Sequence, residues 1–258
     1  MKAVNQAAAS GFIYQPPASA QNAQRILLKP NLGYPKPAPV TVSMPILQAV
    51  LQGLRAASPQ AEILIVEGVC SPVSLTDIAA KLGVYQLLDE GMQLLDADQL
   101  PIVEYPNLSK QPIRYDKMWA PALLQEVDCR ISLGTLKRTN LKGEILISAS
   151  LKNLYGLFPR AKYKARSGNS RGQLHRPSVP AILQDVYFSI GHLFDGAVID
   201  ANQRLVSPDW QPDRGQTIQS GQVFWGDCLL AVDRQACQVV GEAIPNYLEA
   251  IQKLDRGV

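Results

Sequence analysis

The sequence predicts an α/β fold: a mostly parallel sheet with helices on both faces, in a single compact domain. Short apolar runs typical of buried strands alternate with longer stretches in which apolar residues recur every three or four positions. This strand-to-helix order favours right-handed crossovers and a parallel sheet. Nearly half of the 258 residues are hydrophobic, which is enough for one sizeable core.

The chain begins with a segment of different composition. Residues 1–24 are rich in Ala, Ser, Gln and Pro and have no steady hydrophobic period, so we predict an extended N-terminal arm. Its candidate anchors are Phe12, Ile13 and Tyr14. Residues 25–258 then form the predicted α/β domain.

The first half of this domain alternates strands with helices. Ile26–Leu28 is an apolar run that ends in Lys29-Pro30-Asn31, and three further prolines then force an extended loop. Ser43 starts a helix whose apolar face continues to Leu54. The other predicted elements of this half are strand Glu62–Glu67, a helix that starts at Ser74 or Thr76 and continues through Leu88, strand Ile102–Tyr105, a helix at Trp119–Glu126, and strand Cys129–Leu133, which runs on to Lys137.

The second half is organised around an apolar run, Ile145–Pro159. Its pattern predicts a helix that carries Lys152 and Asn153 and ends in a loop at Gly156. The basic, glycine-containing segment Arg160–Arg176 lacks an apolar period and predicts a mobile loop, which either closes over an anionic ligand or is merely solvated. The later predicted elements are helix Ile182–Ile190, strands His192–Ile199 and Val223–Trp225, and helices Leu229–Val240 and Tyr247–Leu254.

Composition excludes several classes of protein. The formal charge of +3 is spread along the chain, which argues against a general nucleic-acid surface and favours a local anion site. The four cysteines lack the spacing of a zinc or iron–sulfur site, so we expect free thiols in a reducing cytoplasm. No apolar run is long enough for a membrane span, and the N-terminus lacks the order of a secretion signal. We therefore expect a cytoplasmic protein with no membrane partner.

Polar residues that follow the strands are the first candidates for a site. In a parallel sheet, ligands bind beyond the carboxyl ends of the strands, where Lys29, Asn31, Glu67 and Lys137 are expected to lie. Lys29 and Asn31 would present a cation and an amide on either side of a stiff proline. The alternative is a surface lysine followed by a turn asparagine.

Two further lysines suggest an anion as the ligand. Lys137 and Lys152 are separated by a predicted loop, Arg138–Glu144, and by the central helix, an arrangement able to bring both ammonium groups to one crevice. A carboxylate or phosphate would satisfy them, and each charge could depress the pKa of the other enough to produce a base. The alternative is two independently solvated lysines.

Histidine and carboxylate residues are the candidate proton carriers and metal ligands. His175 precedes a helix start, where its ring could act as acid, base or metal ligand or be structural. Asp195 lies at a predicted strand, whereas Asp227 could simply cap the next helix. His192 should face away from Asp195 in that strand, so a full protein cage for a metal is not expected.

Common catalytic motifs are missing. The chain has no Gly-x-Gly-x-x-Gly after its first strand, no Walker-type loop, no Gly-x-Ser-x-Gly and no His-Glu-x-x-His. The commonest nucleotide, hydrolase and zinc-protease interpretations are therefore excluded.

Several of these segments together resemble the bacterial and archaeal family known as domain of unknown function 362. The resemblance covers about residues 25–254, and its most specific part is Lys152-Asn153-Leu154-Tyr155-Gly156. The segments that carry it are Lys29-Pro30-Asn31-Leu32, Lys137, Ser150–Gly156, His175, Asp195-Gly196, Gly226-Asp227 and Asp233. The family has no generally assigned reaction, and many members carry a ferredoxin-like module with four-iron four-sulfur clusters.

This chain departs from the family pattern in three places. It has no cysteine run for an iron–sulfur cluster, so none is expected. Asn140 stands where members often have a histidine, which weakens a histidine-based metal or proton-transfer role. Ala201–Arg204 replaces a glycine-rich, acidic segment, so the site there is expected to be rebuilt.

The leading hypothesis is an enzyme that binds a small anionic metabolite. Lys29, Asn31, Lys137 and Asn153 would bind it, and Lys152, His175 and Asp195 would be catalytic. The expected reaction is an isomerisation or oxidoreduction next to a carboxylate, with a divalent metal on Asp195 and Asp227 as an optional aid. One alternative is a non-catalytic accessory protein that serves an iron–sulfur partner. Another is nucleic-acid binding through Arg160–Arg176. The sequence is also compatible with a homo-oligomer.

Overall fold

An eight-stranded sheet forms the centre of the computed structural model, which describes residues 3–141, 144–209, 211 and 213–255. Its strands are β1 Val4–Ala8, β2 Arg25–Pro30, β3 Glu62–Glu67, β4 Met92–Asp96, β7 Cys129–Leu141, β8 Glu144–Ser148, β9 Gly196–Ser207 and β10 Gln216–Gly226. A separate two-stranded sheet consists of β5 Ile102–Pro106 and β6 Lys117–Pro121. Residues 1–2 of the predicted arm and residues 256–258 of the predicted domain lie outside the described residues.

The strand order of the main sheet is β1-β10-β9-β7-β2-β3-β4, and β8 pairs with β7 beyond this path. Neighbouring strands from β9 to β4 are parallel, whereas β1, β10 and β8 are added antiparallel. All parallel strands therefore end at one edge of the sheet, which we call the carboxyl edge. The predicted fold class is confirmed.

Helices cover both faces of the sheet. They are α1 Met44–Ala57, α2 Leu75–Leu82, α3 Ser150–Asn153, α4 Arg160–Tyr163, α5 Val179–Ser189, α6 Leu229–Val239 and α7 Asn246–Asp255. Alternate residues of β2 separate the two cores: Ile26 and Leu28 pack with α1, and Leu27 packs in the core that contains α5 and α6. Each core buries its apolar side chains almost completely, which explains the continuous apolar runs in the sequence.

Some predicted elements differ from the structure. Ile102–Tyr105 is a strand, but it lies in the small sheet, and β4, which was not predicted, pairs with β3 in the main sheet. The predicted helix Trp119–Glu126 is instead the end of β6 and a 3-10 turn, because its apolar residues complete a hairpin with β5. A short apolar run has no period long enough to separate helix from strand.

The central run is the largest correction. Residues 145–148 belong to β8, which pairs with an extended β7, and the helix begins only at Ser150. The predicted loop Arg138–Glu144 is thus mostly a hairpin, and its residues 142 and 143 lie outside the described ones. After α3 the chain continues as a 3-10 turn, Leu154–Leu157.

The predicted arm contains β1, which pairs antiparallel with β10; Val4 lies opposite Gly226 and Ala8 opposite Gln222. Of its three candidate anchors, Phe12 and Tyr14 are buried in the core beside α1, whereas Ile13 is 78% exposed. The basic segment Arg160–Arg176 contains α4 and a 3-10 turn, and Arg171 within it is buried. Its predicted mobility stays a prediction.

Candidate anion site at the carboxyl edge

A buried ion pair lies at the carboxyl edge between the first two parallel strands. Lys29 at the end of β2 is only 1% exposed, and its Nζ lies 2.8 Å from Oε1 of Glu67 at the end of β3. The same ammonium donates to the carbonyl of Pro30 and, at 3.1 Å, to Oδ1 of Asn153. Burial lowers the pKa of Lys29, and the Glu67 carboxylate opposes this shift. All three N–H groups of Lys29 are therefore used within the protein.

Asn153 ties this pair to α3. Its Nδ2 donates to the Lys29 carbonyl at 2.8 Å and to Oγ of Ser132 on β7 at 3.1 Å. Asn31, two residues after Lys29, donates to Oγ1 of Thr135 at 3.0 Å. The two predicted amides thus hold β2, β7 and α3 together, and their predicted contacts with a substrate stay predictions.

Gly156 is needed for the close approach of α3 and its 3-10 turn to the ion pair. A Cβ at this position would lie 2.2 Å from Glu67 Oε1 and 2.7 Å from Lys29 Cε. The glycine of the Lys-Asn-Leu-Tyr-Gly motif therefore seats the motif directly on the buried pair.

Lys137 lies where β7 leaves the parallel sheet. Pairing of β7 with β9 is irregular between Thr135 and Lys137, opposite the segment Ala201–Arg204. The Lys137 ammonium donates to the carbonyl of Val40. Burial lowers the pKa of Lys137 to about 8, and the charges of Lys152 and Lys29 add to this effect, whereas Cys70 and Glu67 oppose it. Lys137 therefore lies within electrostatic range of both other lysines.

Lys152 and His175 both contact the aromatic ring of Tyr155. The Nζ of Lys152 lies 5.2 Å from the centre of the Tyr155 ring, and the His175 ring packs edge-on against the same tyrosine, with 5.8 Å between centres. Tyr155 is fixed by a 2.8 Å hydrogen bond from its hydroxyl to Leu174. Partial desolvation, and then the Lys152 charge, lower the pKa of His175 to about 4, so this exposed imidazole is neutral near pH 7.

Burial also lowers the pKa of Lys152, and Cys70 opposes that shift. In the part of the chain that the structure describes, neither Lys137 nor Lys152 has a carboxylate partner. Among the described residues, two partly buried cations therefore share this edge without a carboxylate in ion-pair contact.

Cys70, which no sequence pattern singled out, interacts electrostatically with this cluster. It follows β3, it is exposed, and its Sγ donates to the Gly33 carbonyl at 3.2 Å. Its desolvated position and Glu67 raise the pKa of the thiol, whereas Lys137, Arg171 and Lys152 oppose the rise. The thiol is consequently protonated at neutral pH but surrounded by cations from three elements.

Arg171 anchors the basic segment beside Cys70. Its guanidinium donates to the carbonyls of Gly68, Val69 and Phe158 and pairs with Asp98 at 3.1 Å. Burial lowers the pKa of Arg171, and Asp98 opposes this. Cys70 and Arg171 were not predicted as site residues, because each is a single residue outside any motif, whereas Glu67 was expected at this edge from its position at a strand end.

Asp195 is a correction to the predicted catalytic set. It lies just before β9 and so at the edge where parallel strands begin, opposite the lysines. Its carboxylate accepts from the backbone N–H of Arg130 at 2.9 Å and from the guanidinium at 3.3 Å. The prediction placed Asp195 beside Lys152 and His175, and the structure separates them. His192, predicted to lie in the same strand, is in a 3-10 turn before it.

Asp227 lies at the same edge as Asp195, since Gly226 pairs with Ala197 across β10 and β9. No group of three His, Cys, Asp or Glu side chains suited to a metal occurs among the described residues. The predicted metal pair is thus distant from the lysines, and metal binding there stays a prediction. Within the same residues, no helix has the length and apolar character needed to cross a bilayer.

Comparison with known proteins gives a fold relative and a family. No curated protein matches. The structure of the lactate racemase apoprotein from Thermoanaerobacterium thermosaccharolyticum is similar, with a TM-score of 0.51 and 16% sequence identity over 87% of this chain and 50% of that one. The chain thus spans about half the length of that racemase, and at this identity the likeness concerns the fold. Residues 26–238 match domain of unknown function DUF362, as the sequence resemblance indicated, and the chain belongs to that family.

Proposed function

We propose that the chain is an enzyme that binds a small carboxylate or phosphate between Lys137 and Lys152 at the carboxyl edge, and that it acts as an isomerase or oxidoreductase next to that group. One observation carries the proposal. These two cations are partly buried and have no carboxylate partner among the described residues, and burial together with the charge of Lys152 depresses the pKa of Lys137 to about 8. A bound anion would supply the missing negative charge.

The chemistry of the surrounding groups supports a role beyond binding. His175 is neutral near pH 7 and shares the Tyr155 ring with Lys152, so it is placed to accept a proton from a ligand held by that lysine. Lys29 is already bonded to Glu67 and Asn153, so we assign it to shaping the site. The reaction next to a carboxylate is proposed from this arrangement and by analogy with the racemase of similar fold.

Calorimetric titration with sodium sulfate and with L-lactate tests the anion site. We expect saturable binding that falls at least about tenfold in Lys152→Met and Lys137→Met, because each removes one of two charges on the ligand. Lys117→Met is the matched control, since Lys117 is a surface residue paired with Glu104 in the small sheet. Equal binding by all three variants and the wild type would contradict the proposal.

Cys70 provides a second measurement within the protein. Negatively charged iodoacetate and neutral iodoacetamide both alkylate a thiolate, which displaces iodide from carbon. If the anion site lies beside Cys70, iodoacetate should react with saturation, sulfate should protect, and Lys152→Met should remove both effects. Cys70→Ser identifies the alkylated residue by mass spectrometry, and the half-buried Cys228 is an internal reference.

Proton exchange separates an enzyme from an accessory protein. A racemase-like or isomerase-like reaction next to a carboxylate removes the proton on the adjacent carbon. We expect loss of that proton signal from a small 2-hydroxy acid in deuterium oxide, dependent on His175 and Lys152. Tight anion binding without exchange across a panel of such acids would favour the accessory role.

A further inference from the structure

Asp233 of α6 lies buried at the start of α3, eighty-odd residues earlier in the chain. The carboxylate is 1% exposed and accepts three hydrogen bonds: from the backbone N–H of Ser150 at 2.9 Å, from its hydroxyl at 2.5 Å, and from the backbone N–H of Leu151 at 3.1 Å. No role in binding or catalysis follows for Asp233 from the fold alone. Its target, however, is the element that carries two residues of the anion site.

Helix α3 cannot hold its place by itself. It has only four residues, its N-cap is Ala149, whose side chain offers no acceptor, and its first turn has no acidic residue. Helices this short are unstable in isolation, and their first N–H groups need acceptors. Asp233 supplies those acceptors from another part of the chain, and its negative charge is favourable at a helix N-terminus.

Strand β7 fixes the other side of the same turn. The hydroxyl of Ser132 donates to the Ser150 carbonyl at 2.8 Å and accepts from Asn153. Gly134 allows the close approach, because a Cβ there would lie 3.1 Å from the backbone of Ala149. The start of α3 is therefore held between Asp233 and β7, and Lys152 and Asn153 follow within one turn.

We propose that Asp233 is a positioning residue of the anion site: its carboxylate fixes the start of α3 and thereby places Lys152 beside Lys137 and Asn153 against Lys29. The inference rests on the proposed function, since it names what organises that same site. It adds that α6, whose sequence carries no candidate ligand, controls the affinity for the anion.

The charge state of Asp233 gives the proposal a second consequence. Burial raises the pKa of Asp233 to about 6, and the three hydrogen bonds oppose the rise. The titratable groups near it are Cys237 on α6 and Tyr247 on α7, and burial raises the pKa of both, to about 12 for the thiol and well above 10 for the phenol. Between pH 7 and pH 5 only Asp233 in this group changes charge, so sulfate affinity should fall as the pH drops through about 6.

The test compares Asp233→Asn with Asp185→Asn. Asp185 in α5 is an equally buried carboxylate that accepts hydrogen bonds from the backbone N–H groups of Ile113, Arg114 and Tyr115. These three donors form a loop that supplies no residue to the site. Both variants should lose stability, because an amide cannot accept from all the donors. We expect sulfate affinity to fall about tenfold in Asp233→Asn and to stay within about twofold in Asp185→Asn.

A ligand-free measurement separates failure of this inference from failure of the proposed function. Lysines are reductively methylated with carbon-13, and the Lys152 signal, assigned from Lys152→Met, is titrated by NMR. Asp233→Asn should move the pKa of Lys152 back towards its ordinary value, with Lys117 unchanged as reference. If the wild type binds no sulfate, the proposed function fails, and this titration still decides the role of Asp233.

An unmoved Lys152 signal in Asp233→Asn would overturn the inference, as would equal losses of affinity in the two aspartate variants. Should Asp233→Asn not fold, Ser150→Ala takes its place, because it removes the hydroxyl and leaves both backbone N–H groups bonded to Asp233. That variant should weaken sulfate binding measurably but less than Asp233→Asn, and the low-pH loss near 6 should remain.

Discussion

Charged side chains are paired differently at the two edges of the central sheet. At the edge where the parallel strands begin, Arg25 pairs with Glu62 at 2.8 Å, Asp128 accepts two backbone N–H groups, and Arg130 pairs with Asp195. At the carboxyl edge Lys29 pairs with Glu67 and Arg171 pairs with Asp98, whereas Lys137 and Lys152 have no carboxylate partner among the described residues. The named charges at the first edge are therefore all paired or hydrogen-bonded, whereas two of the cations at the carboxyl edge are not paired with a carboxylate.

This difference indicates which charges are structural. A partly buried cation without a counter-charge is costly, and a fold retains such groups where a ligand completes them. The ion pairs at the opposite edge need no ligand to balance their charge. A cavity of about 200 Å³ lies there beside Arg25 and Glu62. The carboxyl edge is thus the better candidate for function on electrostatic grounds as well as on topology.

The largest expected effect comes from breaking the buried Lys29–Glu67 pair at the carboxyl edge. Glu67→Gln leaves the Lys29 charge buried without a partner and should lower the free energy of unfolding by about 3–5 kcal/mol. Glu62→Gln removes the carboxylate of a pair whose side chains are 36% and 37% exposed, and should cost less than about 1 kcal/mol. Urea denaturation measures both; similar losses would mean that burial does not distinguish these pairs.

Gly156→Ala should have the next largest effect. The new methyl group would collide with Glu67 Oε1 and with the Lys29 side chain, so either the pair or the 3-10 turn must move. Overpacking of this kind costs about 1–3 kcal/mol. Gly168→Ala is the control, because nothing lies within 4 Å of its Cβ position, and its unfolding midpoint in urea should hardly change.

The sequence predicted the order of layers better than the exact elements. Runs such as Ile26–Leu28 and Glu62–Glu67 are apolar, bounded by Pro or Gly, and buried on both faces, so local pattern and tertiary position agree. The segment from Ile145 shows the limit. An apolar run that starts as an edge strand and ends as a helix has no single period, and its pairing with β7 is a contact that the sequence does not display.

The site was predictable only where a residue stands at the end of a strand. Lys29 and Lys137 were located by that rule, and the Lys-Asn-Leu-Tyr-Gly motif drew attention to Lys152 and Asn153. For Asp195 the sequence indicated only a position at a strand and not at which end of it; β9 begins after this residue. Cys70 and Asp233 interact with residues that are distant in the chain, and no local pattern encodes such interactions.

The pH dependence of anion binding sharpens the comparison between edges. Lys137 has a pKa of about 8, so its ammonium is present below that pH and is lost as the pH rises above it. Sulfate affinity should therefore fall with increasing pH, by at most about tenfold per pH unit for one proton. Calorimetry from pH 7 to pH 9.5 measures this, and Lys137→Met should bind more weakly without the decline centred near 8.

The smallest expected effect tests the residue that the structure removes from the site. Asp195→Asn loses the charge facing Arg130, but that guanidinium still donates to the carbonyls of Leu124 at 2.7 Å and Val127 at 2.6 Å. Because Arg130 keeps these two hydrogen-bond acceptors, the loss in unfolding free energy should be only about 1 kcal/mol. Sulfate affinity and proton exchange should equal those of the wild type, since Asp195 lies at the opposite edge from Lys137 and Lys152. A clear loss of either would show that the two edges are coupled and that uncompensated charge alone does not locate the site.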